Sequence, residues 1–541
     1  MVKYNRYEEK GGDTAVIQTR IVAPINYTSE SIANIIADSL GFARAEITTV
    51  EIRRRELDLS DKSNPAYKMT VAFSASPERE MGLLKMKKRV FPDPALSFSL
   101  PERSFDYRPL VVGAGPSGLF AALALARAGA MPILVERGLP VDERAEKVSL
   151  FNKFGVLDPE CNVQFGEGGA GTYSDGKLKY GSMDKYKLEV LREFVAAGAD
   201  GDILYTVGAH LGTDKLSDIV KRIREKIISL GGDVRFSTRL VGITVRDGAV
   251  VGATLESQSG RYTIDTRAII LATGHSAEDT FRLLESLGVA MTPKGFGIGV
   301  RIEHRREYID DLVYGKGHGT DLPTASYHLV THLSSGRSVY SFCMCPGGTV
   351  VAAASTESGV VTNGMSEYLR DGDNSNAALL VSVTPDDFSS DSPLAGIELQ
   401  RMIEKAAFNA AGGNYRAPVW RIGDLMDRNA TSRIGDVSPS YPRGFEFISP
   451  EAYLPDFITE SLRVAMTDFD EWMPGYYQSD AVLTGAETRS TSPVRVERDG
   501  QYQSLTLRGL YPAGEGAGYA GGIVSSATDG LRAAEALLRC K

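Results

Sequence analysis

Three glycines and a distant acid carry the strongest chemical signal in this sequence. Gly113-x-Gly115-x-x-Gly118 follows the apolar run Leu110–Val112 and opens an Ala-rich stretch, and Glu136 closes the next apolar run. In such a spacing Gly113 permits a tight turn. Gly115 lets backbone N–H groups approach a pyrophosphate, and Gly118 allows a helix to pack closely on a strand. The helix N-terminus then offers partial positive charge to phosphates. A carboxylate at Glu136 accepts from ribose hydroxyls and repels a 2′-phosphate. Together these residues predict a dinucleotide site.

Other residues invite chemistry with less support. Gly171-x4-Gly176-Lys177 matches a nucleotide-phosphate loop, but Leu178 stands where Ser or Thr must hold magnesium, and no strand-to-helix context surrounds it. ATP or GTP is therefore not expected there. Glu487-Thr-Arg489 places a guanidinium that either clamps a carboxylate bidentately or closes a structural salt bridge. His275 directly follows Ala272-Thr273-Gly274, so it either lies near a ligand or caps the next helix. Cys161 precedes the Gly-rich stretch 166–177 and either approaches a ligand or packs. Cys343-Met-Cys345 would face one way on a strand, where a disulfide is strained, and no second pair completes a metal set. Both thiols are expected in the core, and no metal site is expected. His304, in a charged stretch, is expected on a solvated face.

The elements that must position these groups follow from periodicity and turn signals. Residues 14–22, 46–57 and 66–74 alternate like strands. Between them, 29–40 forms an amphipathic helix, capped by Ser29 or Ser31 and ended by Gly41. This predicts a β-α-β-β module over 1–89. Residues 90–109, rich in Pro, read as a linker. A strand, Gly-rich turn, helix (116–128) and second strand follow. Residues 181–233 read as a helical insertion. Residues 234–271 read as three short strands and a fourth, with hairpin turns at Asp247-Gly248 and Ser259-Gly260. A final helix spans 521–538. Gly295-x-Gly297-x-Gly299 lacks the third spacing and does not make a second dinucleotide site.

Composition excludes several classes. The chain has 541 residues, 43% apolar and 24% charged, which is ordinary globular usage with room for a large core. Its net charge of −9 disfavours general nucleic-acid binding through overall charge. Basic runs at Arg53–Arg55 and Lys85–Arg89 are expected as solvated faces. Four cysteines make no disulfide framework, and the start shows no apolar signal region, so a reducing cytoplasm is expected. The apolar run Leu110–Ala126 is too short and Gly-rich for a membrane span.

Three segments, taken in order, resemble the FAD-binding flavoprotein superfamily: the Gly113–Glu136 unit, Ala272-Thr273-Gly274, and Leu510–Glu515 with the helix after it. The stretch Gly166–Lys177 resembles the Gly-rich loop of the fumarate reductase and aminoacid oxidase branches. More narrowly, NVQFGEGGAGTYSDGKL, CMCPGG, NGMS, ETRSTSPVR and GYAGGIVSSATDG together resemble a bacterial family of uncharacterized FAD-dependent dehydrogenases.

That resemblance implies an α/β fold. A single Rossmann-like FAD-binding domain would be built from discontinuous segments (110–180, 234–285 and 486–541). A mixed α+β substrate or cap domain would span 286–485, beside the small α+β N-terminal module. FAD would bind non-covalently through Gly113, Ala114, Gly115, Pro116, Ser117 and Gly118, with Glu136 and Arg137. Further contacts would come from Gly168, Gly169, Thr172 and Lys177, from Leu240, and from Ala272, Thr273 and Gly274. Gly514, Glu515, Gly521, Gly522, Ile523 and Val524 would complete the site. Glu515 departs from the usual Asp. Arg489, His275 and Cys161 are the candidates over the flavin. Electrons would move between flavin and a small-molecule substrate or NAD(P)H. A tRNA-modifying flavoprotein and a non-catalytic flavin-bound docking protein are the competing readings.

Overall fold

The computed structural model describes residues 17–86, 89–93, 96–319 and 321–540. They divide into two compact units. One takes in the chain up to Ser97 together with Asp202–Gly208 and Gly319–Leu322, and the other takes in Phe98–Gly201, Ala209–His318 and the chain from Pro323.

In the first unit, the alternation of Ile17–Pro24 buries Ile17 and Ile21 against Ile32, Ile36 and Leu40 of the helix Ser29–Leu40. The sheet runs Thr49–Asp58, Ala66–Ser74, Ile17–Pro24, Val90–Pro92, with every pair antiparallel. The cap differs from expectation. Thr28, not Ser29 or Ser31, caps the helix, and Ser31 returns a hydroxyl to the Thr28 N–H at 2.8 Å, closing a capping box. Gly41 ends the helix at φ 74°. The stretch read as a linker begins with a strand, because Val90–Pro92 pairs at the sheet edge, where a proline costs no ladder bond. The Arg53–Arg55 run is neutralised locally: Arg53 meets Asp93 at 2.6 Å, Arg54 meets Glu56 at 3.0 Å, and Arg55 meets Asp202 at 3.0 Å. The Lys85–Arg89 run lies partly outside the described residues.

The second unit is built on a five-stranded sheet in the order Leu510–Pro512, Ile269–Leu271, Leu110–Val112, Ile133–Val135, Asp233–Arg235. Every neighbour is parallel. The central strands are buried on both faces, as their continuous Ile, Leu and Val require. The region read as a helical insertion, 181–233, holds helices at Lys185–Ala196 and Gly212–Ser229, and the edge strand Asp233–Arg235 starts at its boundary with the strand region.

The helix Pro116–Arg127 packs along Ile523–Arg539. A Cβ on Gly530 would lie 2.0 Å from the Ser117 carbonyl oxygen, so the crossing depends on that glycine. An antiparallel meander, Thr238–Arg246, Ala249–Ser257 and Gly260–Asp265, follows the edge strand. Asp247 and Gly248 both take positive φ in its first turn, the geometry a two-residue hairpin needs.

A seven-stranded mixed sheet carries the rest, with Phe296–Arg305 between Asn374–Val383 and Val482–Glu487. A Cβ on Gly299 would sit 1.9 Å from the Leu379 carbonyl oxygen, so that glycine serves strand packing. His304, expected on a solvated face, is fully buried on this strand. Its Nε2 lies 3.0 Å from the Tyr476 carbonyl oxygen, and burial lowers its pKa to about 4. No helix among the described residues is long and apolar enough to cross a membrane.

Candidate functional site

Parallel strands release the chain at their C-terminal ends, and ligands gather where neighbouring connections part. Here the turns after Leu110–Val112, Ile133–Val135 and Ile269–Leu271 line one large cavity, closed by segments 164–179, 487–490 and 515–526. Gly113 takes φ 99°, and a Cβ there would meet the Ala272 carbonyl oxygen at 2.4 Å. Gly118 would place a Cβ 1.8 Å from the Gly113 carbonyl oxygen, so it lets helix and turn touch. Gly115 is different in kind. Its Cβ would come no nearer than 3.8 Å to any heavy atom, the Gly169 Cα, so that glycine keeps the cavity open. Gly274 and Gly521 would meet nothing within 4 Å, and Gly522 only Ser525 Oγ at 3.8 Å.

Glu136 stands at this end of the cavity with little exposure. Its carboxylate accepts from the backbone N–H groups of Ala114 (2.7 Å), Gly138 (3.0 Å) and Gly166 (2.9 Å). These bonds fix the acid to the glycine turn and to the loop that passes over it. Arg144 fixes the loop from below. Fully buried, it donates to the carbonyls of Asn162 (2.9 Å), Val163 (2.9 Å) and Glu167 (2.6 Å). Nothing in local spacing singles out Arg144, because its partners are backbone groups from a different segment.

Of the residues expected to contact a cofactor, Gly113, Gly115, Pro116, Ser117, Glu136, Arg137, Gly169, Lys177, Leu240, Ala272, Thr273, Gly274, Glu515, Gly521, Gly522 and Ile523 line the cavity. Ala114, Gly118, Gly168, Thr172, Gly514 and Val524 do not line it. They support the wall instead. Ala114 donates to Glu136, Gly168 donates to the Ala114 carbonyl at 2.8 Å, and Thr172 donates to the Glu167 carbonyl at 3.3 Å. Gly514 turns at φ 77° and donates to Asp529 at 2.7 Å, while Arg498 grips the same carboxylate at 2.7 and 2.8 Å. Asp529 and Arg498 are positioning residues that the sequence did not single out.

The three candidates over the flavin separate. Cys161 is buried and does not line the cavity, and burial raises its thiol pKa, so plain packing replaces the reactive reading. Arg489 lines the cavity, but its fork is taken. Nε and Nη2 each donate to Glu404 at 2.8 Å, Nη1 donates to Ser355 at 2.5 Å, and Nη2 also to Thr356 at 3.1 Å. A bidentate carboxylate clamp is therefore not available from Arg489. His275 lines the cavity and does not cap the helix Glu278–Ser286. Its Nδ1 lies 2.9 Å from Ser276 Oγ, and burial, then the Arg489 charge, lower its pKa to about 3. The ring is neutral at physiological pH.

Two cavity-lining groups behave differently from the rest. Burial pushes the Glu515 carboxyl up to about 7, against the opposing pull of Lys294. Cys343, expected in the core, is only partly buried and faces the cavity.

The wall also carries polar atoms with no protein partner. Ser117 Oγ and Thr280 Oγ1 are buried, line the cavity and make no hydrogen bond. Buried hydroxyls are rarely left so. With the open glycines, they fit an extended polar ligand whose phosphates and hydroxyls complete the bonding, as FAD does.

A parallel sheet with this glycine turn, acid and crossing helix defines the dinucleotide-binding fold of flavoproteins. Residues 295–490 match the family described as FAD-dependent protein, C-terminal domain-like. An uncharacterized protein of Clostridium beijerinckii is 44% identical over 508 residues, 93% of this chain and 95% of that protein. The chain belongs to this bacterial family of FAD-dependent proteins. A probable fumarate reductase, Ifc3, of Shewanella frigidimarina is 27% identical over 187 residues, 30% of this chain and 32% of that protein. Among solved structures, 3-ketosteroid-delta4-(5alpha)-dehydrogenase from Rhodococcus jostii aligns over 82% of this chain and 100% of its own, at 13% identity and TM-score 0.36.

Proposed function

We propose that the chain is an FAD-dependent oxidoreductase acting on a small molecule. The observation that carries this reading is the row of glycines opening onto a cavity beside unpartnered buried hydroxyls at the strand ends. FAD, when bound, supplies the hydride and electron chemistry, and the protein supplies orientation and exclusion of water. The turn at Gly113–Gly118 and the N-terminus of Pro116–Arg127 would hold the pyrophosphate. Glu136 would accept from the ribose hydroxyls with the lone pairs its three backbone donors leave free. Ser117 and Thr280 would gain the partners they lack. The helix Ile523–Arg539 would point its free first-turn N–H groups at the ligand. Glu515 would hydrogen-bond a ligand hydroxyl. The name of the Shewanella relative, a probable fumarate reductase, supports a small-molecule substrate, and NAD(P)H is a candidate electron donor.

Purified protein should be yellow and should release its flavin on acid precipitation. Gly115→Val should leave a folded, colourless protein, because a Cβ there meets no atom nearer than 3.8 Å and the branched side chain fills the ligand's space. Full flavin content in Gly115→Val would sink the reading. Anaerobic mixing with NADH or NADPH, followed by an acceptor screen, then separates an oxidoreductase from a docking protein.

A further inference from the structure

Cys343 and Cys345 lie at a break in their strand. In the ladder between Ser338–Cys345 and Asn374–Val383, Phe342 pairs with Ala378 and Cys345 with Asn376, so one extra residue is inserted between them. Cys343 takes φ 42°, a left-handed conformation rare for a residue with a side chain. Two residues apart on a regular strand, Cα atoms stand about 6.6 Å from each other, at the upper edge of disulfide reach. The bulge breaks that regular spacing, and the Cys345 sulfur reaches back to within 3.2 Å of the Cys343 carbonyl oxygen, so the two side chains share one space.

The surroundings make the pair reactive. Cys345 is fully buried and donates its thiol to the Cys343 carbonyl oxygen at 3.2 Å. Cys343 faces the cavity. Lys177 donates its ammonium to the Met344 carbonyl between them, and Arg301 Nη1 lies 3.3 Å from the Cys343 carbonyl oxygen. The neighbouring Cys345 thiol, with the Arg301 and Lys177 charges, holds the Cys343 thiol below its usual range despite burial. Burial and the same contact hold Cys345 well above it. An attacking thiolate beside a protonated partner is the arrangement that thiol–disulfide chemistry uses.

We propose that Cys343 and Cys345 form a redox-active dithiol on the cavity wall that exchanges an electron pair with bound flavin. On oxidation the S–S bond forms and the Cys345 S–H bond breaks. The two electrons and that proton reduce oxidised flavin to its reduced anion, and the reverse step restores thiolate and thiol. This rests on the FAD reading above and extends it. The reduced chain stores a second electron pair in the dithiol, and a dithiol that the flavin regenerates can reduce a small disulfide.

The test counts thiols and electrons in the full-length holoprotein. Aerobic protein treated with glutathione disulfide is denatured, alkylated with a maleimide and weighed. Half of the four cysteines should escape labelling, with the bridge on the peptide carrying 343–345 and no glutathione adduct. Anaerobic dithionite titration of the same sample should consume about twice the reductant taken by Cys343→Ser, since each centre is a two-electron couple. Cys345→Ser should instead trap a stable glutathione adduct on Cys343. A yellow protein that keeps all four thiols and takes the same dithionite as Cys343→Ser overturns the proposal. A colourless protein whose thiol count still halves overturns the FAD reading and leaves the dithiol standing.

Discussion

The two ends of the cavity wall are built on different principles. At the Glu136 end, the acid at the centre is tied to backbone, and the ion pairs Arg137–Asp279 (2.8 Å) and Arg239–Glu160 (2.9 Å) lie beside it. Three N–H groups hold one carboxylate, and glycines leave the space. At the Cys343 end, charged side chains hold one another: Arg301 with Glu487 at 2.6 Å, Arg489 with Glu404 at 2.8 Å, and Arg370 with Asp175. The first end can recognise a fixed shape but has little to titrate. The second can be tuned, because its charges and thiols sit in a low-dielectric wall where each substitution alters its neighbours. A chain that keeps its cofactor and varies its chemistry would change at the second end.

Removing one partner at the charged end should do the most damage. Arg301 is fully buried and also donates to Asn376 at 2.8 Å, so Arg301→Met leaves Glu487 as an uncompensated charge. A loss of about 3–5 kcal/mol is expected in urea unfolding. Glu487→Gln with Arg301→Met should recover part of it. No recovery would mean that packing, not charge, sets this end.

At the glycine end two neighbouring substitutions should part company. Gly118→Ala places a methyl group into the Gly113 carbonyl and should cost about 3 kcal/mol. Gly115→Ala meets nothing closer than 3.8 Å and should keep the melting temperature of flavin-free protein while losing flavin affinity. Equal stability losses in the two variants would erase the distinction drawn between packing and ligand glycines.

Glu136→Ala should lower flavin affinity by about ten- to a hundred-fold, the worth of one charge-assisted bond. It should also lower the melting temperature of flavin-free protein, since three backbone donors lose their acceptor. A residue that only touched ribose would not move that second measurement.

The same contrast explains what the sequence made legible. The Gly113–Glu136 unit lies within one short stretch, and its meaning depends on residue type and spacing that any reader of the chain can count. Strand, turn, helix and strand all appear there within a few residues of expectation. The hairpin at Asp247-Gly248 was visible for the same reason. The Cys343 end draws on residues 177, 301, 343, 489 and 515, which only the folded sheets bring together. Spacing alone placed Cys343 in the core because a regular strand was assumed, and no local signal announces a bulge. Arg489 stood open between a ligand clamp and a salt bridge because its partner, Glu404, lies far away on the helix Ala395–Ala410. His304 looked exposed because its charged neighbours suggested solvent, yet Glu303 is buried and bound by Ser440 and Asn374.

The smallest expected effect isolates one titrating group at the tunable end. Glu515 has its carboxyl pushed up to about 7 by burial, with Cys343 adding to the shift and Lys294 opposing it. An acid whose folded value is raised holds its proton more tightly in the folded state than in the unfolded one. Its penalty is therefore absent below the ordinary glutamate range and grows as pH climbs towards about 7, after which it is constant. Stability of the flavin-free protein should fall over that window by more than in Glu515→Gln, whose side chain cannot ionise. The carboxyl keeps partial access to the cavity, so the difference should be on the order of 1 kcal/mol between about pH 5 and about pH 8. Urea midpoints for the two proteins across that range measure it directly. Parallel curves would place Glu515 in water and make this end of the wall no more tunable than the other.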